Sequence, residues 1–137
     1  MCIRDRQNGI SLYDGALHHV AATWTEGGGG NLFIDGIRTG AGQPWATLPA
    51  IERITIGCWP EGDRDFVGVI DEVRISTMIR YPTNFNVPDQ PFEMDENTLA
   101  IYHLDLGVGD RVLDAGDRFP GEIANAEWTT GLRAEGD

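Results

Sequence analysis

Residues 18–36 run His18-His19-Val20-Ala21-Ala22-Thr23-Trp24-Thr25-Glu26-Gly27-Gly28-Gly29-Gly30-Asn31-Leu32-Phe33-Ile34-Asp35-Gly36. As far as Thr25 the side chains alternate with a period of two. His18, Val20, Ala22 and Trp24 fall on one face, and His19, Ala21, Thr23 and Thr25 on the other, which is the pattern of a β-strand. The glycines interrupt it, Leu32, Phe33 and Ile34 resume it, and Asp35-Gly36 is a dipeptide that closes tight turns. The stretch predicts a β-hairpin over residues 18–37, with Val20 and Ile34 facing the core and the glycine loop exposed. A phosphate-cradling loop is excluded, because neither a lysine nor a helical pattern follows the glycines.

Working outward, Ile54-Thr55-Ile56-Gly57 predicts a short strand and Phe66-Val67-Gly68-Val69-Ile70-Asp71-Glu72-Val73-Arg74-Ile75 a longer one. Residues 58–65 between them contain Pro60, Gly62 and several aspartates, a loop composition. Residues 81–91 carry Pro82, Pro88 and Pro91 without apolar periodicity, so they read as a connector. Strand alternation returns over residues 98–104. Residues 107–121 are rich in turn formers, and residues 123–128 allow a last short strand. No helical period of useful length occurs, so the chain reads as all-β.

Composition narrows the partners. The 137 residues suit one fold unit. Acidic residues outnumber basic ones 22 to 10, for a formal charge of -12, and such a surface repels nucleic acid and anionic membranes. No apolar run is long enough for membrane insertion. The charges are scattered and 41% of residues are hydrophobic, as in a globular domain rather than an acidic tail. The opening Met1-Cys2-Ile3-Arg4-Asp5-Arg6 resembles the translated sequencing-adapter remnant that begins fragmentary metagenomic reading frames, so residues 1–6 read as a non-native leader. Cys58 is then the one native cysteine, and neither a disulfide framework nor a cysteine-based metal site follows.

The hairpin, Ile54-Thr55-Ile56-Gly57 and the 66–75 run, in that order, resemble the laminin G-like family of the concanavalin A-like lectin and glucanase superfamily. The last run is similar to the family's closing strand. The resemblance implies an antiparallel jelly-roll β-sandwich, here an incomplete one. Residues 99–105, then Asp114 and Gly116, then Trp128 resemble the opening strand and turns of such a domain, so opening elements follow closing ones. Leu106 and the Asp117-Arg118-Phe119-Pro120 turn depart from the family pattern. Residues 7–80 therefore read as the C-terminal part of one module, 81–97 as a connector, and 98–137 as the opening of a module. Two arrangements satisfy this. The chain is a fragment of a tandem array, the reading favoured here, or the late segment folds back to supply a missing strand.

Related sandwiches include sugar hydrolases with paired acids, which directs attention to Asp71 and Glu72. Neighbouring strand side chains point to opposite faces, whereas a retaining pair needs carboxyls about 5 Å apart across one substrate. Arg74 shares a face with Glu72 and suggests a structural ion pair. Of the three histidines that could gather around a metal, His18 and His19 diverge in the same way and His103 is remote in sequence, and no serine or cysteine nucleophile sits in a recognisable elbow. Asp105, Asp110 and Asp114 lie in a turn-rich stretch suited to oxygen ligands, and many members of the resembled superfamily bind calcium, so these three are the candidate calcium ligands. Trp45 and Trp59 fall in loops where an indole can stack on a sugar ring, with Asp63 and Asp65 placed to accept hydroxyl hydrogen bonds.

The expected function is that of a non-catalytic binding module in a secreted or cell-surface multidomain protein, taking a carbohydrate or an extracellular protein as ligand beside neighbouring domains of the same parent chain. The alternatives are a fragment of a glycoside hydrolase of concanavalin A-like fold and a structural spacer in an adhesion protein.

Overall fold

A computed structural model describes residues 12, 14–42, 53–59 and 65–130. Seven strands occur among them, all pairings are antiparallel, and the described residues contain no helix. The chain divides into two compact units, Met1–Phe66 with Ile79–Val87, and Val67–Met78 with Pro88–Asp137.

The first unit contains a three-stranded sheet in the order β1 (Val20–Thr25), β2 (Gly29–Ile34), β3 (Ile37–Gly42). The predicted hairpin is present, with Val20 opposite Ile34 and Thr25 opposite Gly29. Gly29 and Gly30 join the ladder rather than the loop. A Cβ on Gly30 would lie 2.6 Å from the Thr23 carbonyl oxygen, so the close strand approach requires glycine. Only Gly27 and Gly28 of the four are exposed.

Strand β3 went unread in the sequence, although the signal for it was there. Ile34 pairs with Ile37 across Asp35 and Gly36, whose φ values of 50° and 77° are both left-handed. Two such residues make the primed turn that matches strand twist, so the Asp-Gly dipeptide starts a second hairpin instead of ending the first. Phe33 and Ile34 are fully buried on opposite faces of the central strand, each burial being worth about 1.5–3 kcal/mol. Val20, expected in the core, is 41% exposed. Its strand is an edge, paired on one side alone among the described residues, so a flank of the side chain stays open.

Residues 81–91 contain no regular structure, as expected of a connector, yet residues 79–87 are firmly placed. Tyr81 stacks on Phe85 at 3.6 Å between ring centroids, and Phe85 meets Phe33 edge to face at 5.6 Å. The Phe85 N–H donates to the Gly36 carbonyl and the Arg38 N–H to Asn84 Oδ1. The aromatic pair thus covers the Phe33 side of the sheet.

The strand expected over Ile54-Thr55-Ile56-Gly57 is replaced by bends. Thr55 Oγ1 donates to the Cys58 carbonyl at 3.0 Å and Gly57 has φ of 83°, a local turn that competes with extended pairing.

In the second unit, β4 (Val73–Ser76) pairs with β5 (Thr98–Tyr102), Val73 lying opposite Tyr102. The predicted 66–75 strand is thus confined to its end, and Val67 is 91% exposed. The pairing joins the closing motif to the late segment, which supplies it with a partner strand. Ala100 and Ile101 of β5 are buried. A final ladder joins β6 (Arg111–Val112) to β7 (Gly121–Glu122), just before the 123–128 stretch expected to be extended.

Candidate functional site

A turn built on Asp114 organises the second unit. Its Oδ1 accepts the Ile101 N–H at 2.9 Å, and its Oδ2 accepts the N–H groups of Arg118 and Phe119 at 3.1 and 3.4 Å. The Asp117 N–H donates to the Asp114 carbonyl, closing the turn. Arg118 reaches back to the carbonyls of Thr98 and Leu99, and the Tyr102 hydroxyl donates to the Phe119 carbonyl. Burial raises the Asp114 pKa, but the backbone donors of Ile101, Arg118, Gly116 and Phe119 outweigh it and hold the carboxyl below its ordinary value. Burial, then the Asp114 charge, pushes the Tyr102 hydroxyl up.

Beside this turn lies an open cleft of about 430 Å³. Leu104, Leu106, Val112 and Leu113 supply apolar walls, Trp128 an indole, and His103, Asp105 and Asp117 polar groups. The Trp128 Nε1–H donates to the Gly109 carbonyl at 2.7 Å, which fixes the ring's tilt. His103 Nδ1 lies 2.7 Å from Glu72 Oε1, and that oxygen also accepts the Phe92 N–H. An imidazole anchored to a carboxylate on one nitrogen keeps the other for a ligand. The arrangement suits a ligand with an apolar face and hydroxyl or amine donors.

Trp45 and Asp63 lie outside the described residues. Trp59 is 47% exposed and Asp65 is exposed. Asp105 and Asp110 are exposed, while Asp114 is 2% exposed and its carboxylate is occupied by backbone donors. Among the described residues no three His, Cys, Asp or Glu side chains gather as a metal site, so the structure does not assemble the oxygen-rich trio. Acidic turn residues satisfy orphan backbone groups before they hold ions, and Asp114 does so here.

Asp71 is exposed, and Glu72 Oε1 is held by His103 and the Phe92 N–H. Arg74, expected beside Glu72, carries its guanidinium 4.1 Å above the Phe92 ring. Trp128, which the sequence places in a domain-opening motif, and His103, which it places remote from His18 and His19, both line the cleft.

Among the described residues no helix is long and apolar enough to cross a membrane. A laminin G family model, described as the concanavalin A-like lectin/glucanases superfamily, matches residues 3–82. No curated protein and no solved structure matches the chain.

Proposed function

This chain belongs to the laminin G-like family of the concanavalin A-like lectin/glucanases superfamily, and from that premise we propose that it is a non-catalytic binding module of a secreted or cell-surface multidomain protein, with a carbohydrate or protein ligand. The observation that carries the reading is the cleft beside Trp128, where apolar walls and an anchored indole adjoin Asp105, Asp117 and His103. Such a mixture recognises a ligand by stacking and by hydrogen bonds to carboxylates. Catalysis is disfavoured because Glu72 is committed to two internal partners.

Titration of the full chain against a panel of neutral oligosaccharides and extracellular matrix proteins tests this. Binding to a panel member, weakened tenfold or more by Trp128→Ala, is the expected result, since an aromatic platform contributes about 1–3 kcal/mol. No binding to any member, or binding that Trp128→Ala leaves intact, overturns the cleft as the site. Hydrolysis of a β-glucan that disappears in Glu72→Ala favours the hydrolase reading instead.

A further inference from the structure

We propose that His18, held between the carboxylates of Asp14 and Asp35, is a pH-governed latch that fastens the segment leading into β1 to the β2–β3 turn. The imidazole Nδ1 lies 2.7 Å from Asp35 Oδ2 and Nε2 lies 3.0 Å from Asp14 Oδ1. The ring is largely covered, with the side chain 14% exposed, while both carboxylates are open to water.

A neutral imidazole carries one N–H, so its other nitrogen would present a lone pair to a carboxylate oxygen that has no proton to share. Both short contacts are satisfied together only by the imidazolium, whose two N–H groups donate in opposite directions. Among the described residues Asp14 and Asp35 are the charged groups that act on the ring, and on the neighbouring His19 the segment Ile79–Val87 presents the rings of Tyr81 and Phe85. The hydrogen bond to Asp35, then that to Asp14, raise the His18 pKa, and burial opposes them.

The two carboxylates are not equivalent. Asp35 is also held by the His19 N–H on Oδ1, and its own N–H donates to the His19 carbonyl, so it stays in place when the ring loses its proton. Among the described residues Asp14 is joined to the sheet through His18, its other bonds being the local ones from the Ala16 N–H and its own N–H. Deprotonation therefore releases the Asp14 side. Leu17, 60% exposed, adds little packing to hold the segment down. The latch is shut below the raised His18 value and opens as pH rises through it.

The test is a nitrogen-15 and amide-exchange titration of the full chain from about pH 5 to about pH 9. His18 is expected to titrate with a midpoint above the ordinary histidine value, both ring nitrogens being protonated below it. Amide exchange at residues 14–18 accelerates at that midpoint while Phe33 stays protected. Asp14→Asn lowers the midpoint and carries the exchange transition down with it, and His18→Gln removes the transition. Because Asp14 is half exposed, its variant reports even where His18→Gln fails to fold. A His18 midpoint at the ordinary value, or exchange at residues 14–18 that ignores the His18 titration, overturns the proposal.

Discussion

Asp114 accepts hydrogen bonds from Ile101, Arg118 and Phe119 and is nearly inaccessible to water. Truncating it strands several backbone donors at once, and each unsatisfied buried group costs about 1–3 kcal/mol. Asp114→Ala is expected to destabilise the second unit by roughly 3 kcal/mol or more, and Asp114→Asn by less, because the amide keeps one acceptor. Urea denaturation of both variants checks the ordering. Equal losses would show that charge, rather than the acceptor set, carries the stabilisation. The recurrence of acidic residues in a turn-rich stretch was legible in the sequence. Which of them turned inward was not, because that depends on where the β5 amides come to lie.

Among the elements, the β1–β2 and β2–β3 turns offer a comparison between two left-handed glycines. Gly27 has φ of 70° and open space around its would-be Cβ, whereas Gly36 has φ of 77° and a would-be Cβ that meets the Phe85 carbonyl oxygen. Gly27→Ala is expected to cost about 1 kcal/mol from backbone conformation alone. Gly36→Ala adds a steric term and is expected to cost at least ~2 kcal/mol, with loss of the Phe85–Gly36 hydrogen bond. Thermal melts of the two variants check the difference, and equal shifts would mean that residues 79–87 contribute nothing to the turn.

For the whole molecule, two sets of groups set opposite limits on pH. Asp14 is lowered by hydrogen bonds from Ala16 and His18, and Asp114 is lowered by its backbone donors despite burial. Their stabilisation is complete above the ordinary value of 3.8 and is lost as pH falls through their depressed folded values. His18 is raised, so its stabilisation is complete below 6.5 and is lost as pH rises through its folded value. Stability is expected to be greatest between those limits, measured by urea midpoints across pH. A midpoint rising steadily to pH 9 would contradict the His18 contribution. Solubility follows a different curve. The charge of -12 vanishes near the pI of 4.4, and exposed Val67, Val108 and Leu17 then meet less repulsion. Sedimentation velocity is expected to show association that strengthens toward pH 4.4 and with added sulfate.

The sequence by itself determined the all-β class, the first hairpin and the family, because a period of two and glycine-marked turns are local properties of the chain. Tertiary structure decided the rest. Strands 54–57 and 66–72 were lost to bends and exposure, since strand formation requires a partner and alternation alone does not provide one. It likewise paired β4 with β5, set Asp114 against the β5 backbone and brought His18 between two aspartates far apart in sequence. Those features rest on distances between residues that no local pattern encodes.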